Sequence, residues 1–131
     1  MEMVKGMNDC TLINDTYNSD INSLSIALDY LNQQNQQAGK TLILSDIMQS
    51  GRAGKDLYSE VAALLRKKNI DRFIGIGPAL SEHQRLFGPN HRFFAGTADF
   101  LSSMNALDFR NEAILINGSR MFAFEKITHR L

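Results

Sequence analysis

Four runs of β-branched residues and leucine, four or five residues long and almost unbroken by polar side chains, recur at 10–13, 41–44, 72–76 and 113–116. A strand with one wet face alternates polar and apolar residues, whereas a run that is apolar at nearly every position needs cover on both sides. Runs this short are strands rather than helices. A weaker run lies at 92–95. Strands covered on both faces belong to a mainly parallel open sheet with helices above and below it, because parallel neighbours need crossover connections that lay helices on the sheet.

The segments between these runs supply such helices. Leu24, Ala27, Leu28 and Leu31 fall at helical spacing, which predicts a helix starting near Asp20 or Asn22-Ser23 and ending before Gly39, with the polar tract 32–37 as its exit. Leu57, Val61, Leu64 and Leu65 predict a second helix over 55–68, closed by the basic Arg66-Lys67-Lys68 that complements its C-terminal dipole. Shorter helices are expected at 81–87 and at 97–105, the latter capped by Thr97. A last one follows Gly118 and covers the sheet with Phe122, Phe124 and Ile127. The pattern is that of an α/β chain, a Rossmann-like three-layer αβα fold around a mostly parallel open sheet. Residues 1–9 read as a linker and 10–131 as one domain.

Charge and composition narrow the function classes. The 14 basic residues balance 14 acidic ones, so no surplus positive charge is present to hold nucleic acid or an anionic membrane. An anion would have to be held locally. The start of the chain lacks the apolar core of a secretory signal, and no apolar stretch approaches the roughly 20 residues that span a bilayer, so a cytoplasmic location is the expectation. Cys10, the only cysteine, lies in an apolar run and reads as a buried structural thiol rather than a nucleophile. The three histidines, His83, His91 and His129, occupy separate segments without ligand spacing, which argues against a zinc site.

Ligands of open α/β sheets gather outside the carboxyl ends of the strands, so the loops leaving the strands are where chemistry is expected. The loop Asn14-Asp15-Thr16-Tyr17-Asn18-Ser19-Asp20 brings a carboxylate, a phenol and a carboxamide together. That set can accept from ribose hydroxyls, stack on a base and bond its edge. Two readings of it stay open: a nucleoside pocket, or Asx turns at Asp15 and Asn18 with Asp20 capping the next helix. Asp46, in the loop after the second run, presents the same choice between ligand contact and turn. In the last loop, the backbone N–H groups and hydroxyl of Gly118-Ser119 could meet an anion and Arg120 could clamp a carboxylate or phosphate, or Ser119 could simply cap a helix.

Two glycine-rich stretches carry weaker signals. Ser50-Gly51-Arg52-Ala53-Gly54-Lys55-Asp56 departs from a P-loop at Gln49, where the first glycine belongs, and at Asp56, where the magnesium-binding hydroxyl belongs. Gly75-Ile76-Gly77 follows a strand as a dinucleotide fingerprint would, but Leu80 stands at the third glycine. A tight strand-to-helix turn suits it better.

Four groups of residues, in order along nearly the whole chain, carry a resemblance. Asn14-Asp15-Thr16-Tyr17-Asn18-Ser19-Asp20 comes first, followed by Ser23-Leu24 and Ala27-Leu28. Ser45-Asp46-Ile47 with Gln49-Ser50-Gly51 comes second. Glu60-Val61 and Ile70-Asp71-Arg72, leading to Gly75-Ile76-Gly77, come third, and Ile114-Leu115-Ile116-Asn117-Gly118-Ser119-Arg120 with Phe124-Glu125 comes last. This succession resembles the C-terminal domain of the UDP-N-acetylmuramoyl-tripeptide:D-alanyl-D-alanine ligases of the Mur ligase family. The chain departs from the family pattern at Asn117, where those ligases usually have lysine, at Ser45 for glycine and at Gln49 for glutamate. The second group also resembles the variant of this ligase that is fused ahead of an alanine racemase.

The resemblance implies a fragment of a larger enzyme of peptidoglycan precursor synthesis, and so of cell wall biogenesis, cell shape and division. An N-terminal domain would hold UDP-N-acetylmuramoyl-tripeptide and a central domain the P-loop, most of the ATP and the magnesium. This domain would close over them, inactive alone. Asp15, Tyr17, Asn18 and Asp46 would contact the nucleotide, while Asn117, Ser119 and Arg120 would face the incoming D-alanyl-D-alanine or the reacting phosphate. Pyridoxal phosphate would be bound only by a fused racemase domain. Other readings are a folylpolyglutamate or cyanophycin-type ligase, against which Tyr17-Asn18 argues, and a stand-alone Rossmann-like nucleotide-binding or interaction module.

Overall fold

The computed structural model describes residues 1–15, 20–48, 50–89 and 91–131. Its sheet has six strands: β1 (Glu2–Lys5), β2 (Thr11–Asp15), β3 (Gly39–Ser45), β4 (Arg72–Ile76), β5 (Arg92–Phe94) and β6 (Glu112–Asn117). They lie in the order β1-β2-β6-β3-β4-β5. Every pairing is parallel except that of β1 with β2. The helices are α1 (Ile21–Asn32), α2 (Gly54–Lys67), α3 (Pro78–Glu82), α4 (Thr97–Leu107) and α5 (Glu125–Thr128), with 3-10 turns at Gln84–Phe87 and Arg120–Phe122.

The apolar runs are buried on both faces, and their alternate residues feed two separate cores. On one face Ile13, Leu42, Leu44, Phe73 and Leu115 pack with Leu24, Leu28 and Leu31 of α1, Leu57, Val61 and Leu65 of α2 and Leu80 of α3. On the other Leu12, Ile43, Ile74, Ile114 and Ile116 pack with Phe100, Met104 and Leu107 of α4 and with Phe124 and Ile127. The chain steps across the sheet from β2 to β5 with α1, α2 and α3 on the first face. It then returns through α4 on the second face to insert β6 between β2 and β3. Right-handed crossovers require this change of face when the direction of travel reverses. The structure is thus the expected three-layer α/β fold.

Local differences from expectation have identifiable causes. Residues 2–5, expected within a linker, form the edge strand β1, exposed along its length. Here Gly6 is required by a close approach, since a Cβ on it would lie 2.9 Å from the Leu131 carbonyl oxygen. Asp20 caps α1 by accepting from the Ser23 N–H at 2.8 Å, so of the two starts the sequence offered the helix takes the one at Asp20. The cap of α4 is Gly96 rather than Thr97, whose hydroxyl donates instead to the Phe122 carbonyl. The third helix starts at Pro78 instead of residue 81, and its last part is the separate 3-10 turn.

The amino ends of the central strands are closed by a polar network. Glu112 of β6 accepts from the Arg72 guanidinium at 2.6 Å, from the Arg110 N–H at 3.0 Å and from the Thr41 hydroxyl. Arg72 also donates to the Leu107 carbonyl at 2.7 Å and lies 4.5 Å over the Phe109 ring. Cys10, buried beside this network, has its thiol pKa raised by burial.

Candidate functional site at the carboxyl edge

The reversal of the chain at β6 puts the ends of β2, β6 and β3 side by side while the connections leaving them go to opposite faces. A crevice at such a switch point is where open α/β sheets bind ligands. Register places Asp15, the last residue of β2, opposite Asn117, the last residue of β6, and Asn117 opposite Leu44, one residue before Ser45. Asp15, Asn117, Ser45 and Asp46 are all buried, an unusual concentration of polar groups for a sheet otherwise lined by Leu and Ile.

Asn117 Nδ2 donates to Asp15 Oδ2 at 3.0 Å, joining residues 102 positions apart. Asn117 Oδ1 and Ser119 Oγ are buried without a hydrogen-bond partner among the described residues. An unsatisfied buried acceptor costs about 1–3 kcal/mol, so the crevice favours a ligand that donates hydrogen bonds into it. Among the expected nucleotide contacts, Asp15 is therefore placed beside the expected substrate contact Asn117. Tyr17 and Asn18 lie outside the described residues.

The backbone of the last loop is shaped by Ser45. The Ser45 hydroxyl donates to the Asp46 carbonyl at 3.1 Å and accepts from the Ser119 N–H at 2.9 Å, tying the loop after β3 to the loop after β6. The Ser119 N–H is thus engaged by a side chain, against the expectation that it would meet an anion. Gly118 is needed where the loops touch: a Cβ there would lie 2.6 Å from the Phe124 ring and 3.0 Å from Ser45 Oγ. Arg120 opens the following 3-10 turn and is exposed.

Asp46 is turned toward α3. Its Oδ1 accepts from the Leu80 N–H at 2.8 Å and its Oδ2 from the Ala79 N–H at 3.0 Å. These N–H groups have no partner within a helix that starts at Pro78. Gly77, at φ +138°, makes the approach possible, since a Cβ would lie 2.3 Å from the Asp46 carboxyl carbon. The next residue, Ile47, donates its N–H to the buried Tyr58 hydroxyl of α2 at 3.1 Å. Burial pushes the Tyr58 phenol pKa up, which keeps it neutral in that role. Sequence reasoning singled out neither Ser45 nor Tyr58 as a positioning group. A serine ending an apolar strand ahead of an acid was the available signal for the first, whereas Tyr58 gave none, being one more core residue of a helix.

The site thus offers two acceptors, the Asp15 carboxylate and the Asn117 carbonyl, and one group that can donate or accept, the Ser119 hydroxyl. In the P-loop-like stretch, Arg52 is paired with Glu60 of α2 at the surface. Among the described residues no group of three His, Cys, Asp or Glu side chains could hold a metal ion. No helix among them is long and apolar enough to cross a membrane.

No family model matches the chain. Solved structures do. Two crystal structures of MurF from Acinetobacter baumannii superpose with TM-scores of 0.81 and 0.77 at 20% and 21% identity, covering 98% of this chain but only 28% and 29% of theirs. A structure of UDP-N-acetylmuramoylalanyl-D-glutamyl-2,6-diaminopimelate--D-alanyl-D-alanyl ligase from the same organism gives 0.76 at 22% identity over 98% of this chain and 27% of that one. The chain spans under a third of the length of each, and its fold matches the C-terminal domain of MurF.

Proposed function

We propose that this chain is the C-terminal domain of an ATP-dependent amide ligase that adds D-alanyl-D-alanine to UDP-N-acetylmuramoyl-tripeptide in peptidoglycan precursor synthesis. The observation that carries this reading is the junction of Asp15 with Asn117 at the switch point, where Asn117 Oδ1 is buried without a donor among the described residues. It stands in a fold shared with a ligase of that name. The four sequence groups occur in the same order as in those ligases.

ATP, when bound, supplies the phosphoryl group that activates the tripeptide carboxylate as an acyl phosphate for attack by the dipeptide amine. Magnesium, the triphosphate and the UDP-sugar peptide are assigned to central and N-terminal domains of the parent protein. This chain's own residues bind and orient. Asp15, with Tyr17 and Asn18, takes the nucleoside end, and its buried acceptors suit hydroxyl and amino donors. Ser119 and Arg120 face the dipeptide or the reacting phosphate, where an exposed guanidinium can pair with a carboxylate. Asp46 acts on the site indirectly by fixing the loop that carries Ser45. A domain that closes over bound reactants accelerates by positioning and by excluding water, with no nucleophile of its own. The enzyme would be cytoplasmic, and the resemblance of residues 42–47 and 49–51 to the fused variant supports a parent that also carries an alanine racemase.

The test is to express the complete polypeptide that carries this domain and to measure phosphate release from ATP. Release that needs both UDP-N-acetylmuramoyl-tripeptide and D-alanyl-D-alanine is the expected result. Release indifferent to the dipeptide, or a gene lacking a P-loop domain upstream of this one, would overturn the assignment. Reading the gene beyond Leu131 tests the racemase.

A further inference from the structure

Asn117 ends the strand at the middle of the sheet with its side chain fully buried, on the same face as Leu115 and therefore toward α1 and α2. An ionised carboxylate has only acceptor sites. The bond from Nδ2 to Asp15 therefore sets which way the amide points: its NH2 toward Asp15, its Oδ1 away. Oδ1 has no donor among the described residues. Buried carbonyls without a donor are rare, and this one sits at the place where ligands of such sheets bind. Asn117 puts a neutral carbonyl acceptor beside the Asp15 carboxylate.

Resting on the assignment of this crevice to an adenine nucleotide, we propose that Asn117 is a positioning and specificity residue. Its NH2 holds the Asp15 carboxylate, and its Oδ1 accepts a hydrogen bond from a neutral donor of the nucleoside, a ribose hydroxyl or the base amino group. Phosphate is excluded from the β2–β6 position, where its oxygens would face a carboxylate and a carbonyl oxygen.

The experiment uses the complete ligase polypeptide and equilibrium titration calorimetry with ATP, 2′-deoxy-ATP, 3′-deoxy-ATP, inosine triphosphate and inorganic tripolyphosphate. Thermal melts are recorded on each protein. The unmodified enzyme binds ATP about tenfold more tightly than the analogue lacking the donor that Oδ1 reads. A deoxynucleotide identifies a hydroxyl as that donor, and inosine triphosphate identifies the amino group. Asn117→Leu weakens ATP by about the same factor, abolishes that discrimination and leaves tripolyphosphate binding unchanged. Equal binding of ATP and all three nucleoside analogues by the unmodified enzyme overturns the proposal without any variant, so a failure of Asn117→Leu to fold does not protect it. A variant that melts lower yet keeps the discrimination also overturns it, leaving Asn117 a purely structural group. If the unmodified enzyme binds ATP but fails these comparisons, the ligase reading survives and the role of Asn117 does not. If it binds no adenine nucleotide, both fall.

Discussion

Replacing Asp46 by alanine separates its two readings, ligand contact and helix cap. The carboxylate is 4% exposed and holds the N–H groups of Ala79 and Leu80 at 3.0 and 2.8 Å. Hydrogen bonds to a charged group contribute about 1.5–3 kcal/mol each, and the Leu80 N–H would be left buried without a partner. Asp46→Ala should therefore cost about 3–5 kcal/mol, a large part of the roughly 5–15 kcal/mol that stabilises a domain. Asp46→Asn keeps one acceptor and should cost about 2 kcal/mol. In urea unfolding of the 131-residue chain followed by circular dichroism, with a slope of about 1.5 kcal/mol/M, a loss of 3 kcal/mol lowers the midpoint by about 2 M. Gly77→Ala should act in the same direction by displacing the carboxylate that its Cβ would meet. If Asp46→Ala costs under about 1 kcal/mol while ATP binding by the complete ligase falls, the capping argument is refuted and Asp46 belongs to the ligand.

Glu112→Gln should destabilise by about 3 kcal/mol, because it strands the partly buried Arg72 guanidinium. Pairing Glu112→Leu with Arg72→Met should recover much of that loss in a urea double-mutant cycle. His91 Nδ1 accepts from the Phe73 N–H at 3.2 Å, and burial lowers its pKa below the usual 6.5. The unfolded chain then binds the His91 proton at a higher pH than the folded one does. The stability that His91 contributes is therefore full above pH 6.5 and is lost as the pH falls from there through the lowered folded-state value. His91→Gln should flatten the dependence of the urea midpoint on pH between about 7.5 and 5, and an unchanged slope would remove His91 as its source.

The parts of the fold legible in the sequence were those whose signal is local and continuous. The runs at 41–44, 72–76 and 113–116 are covered on both faces, so burial wrote itself into nearly every residue. Strand β1 is exposed along its length, and its Met-Val pair between charges carries no such signature. The start of α3 carries one local signal, Pro78 at its first position, but the groups that cap it come from Asp46, more than thirty residues earlier. In the site, Asp15, Asn117 and Ser119 each stood out as polar groups at strand ends. The meeting of Asp15 with Asn117 depends on β6 entering beside β2, a placement set by the sheet order rather than by any motif. The bond from Ser45 to Ser119 spans 74 positions and likewise follows only from that insertion.

The position of β6 also bears on how the molecule reaches its native state. The strand of this sheet that comes last in the chain lies between β2 and β3 and pairs with both. Until it has emerged, β2 and β3 each expose an unpaired hydrogen-bonding edge, with the apolar surface that Phe124 and Ile127 cover still open. Such wide sequence separation slows folding and prolongs the time during which those edges can pair with other chains. Synthesis must therefore run past Asn117 before the sheet can close, and the closing step itself brings Asp15 and Asn117 together.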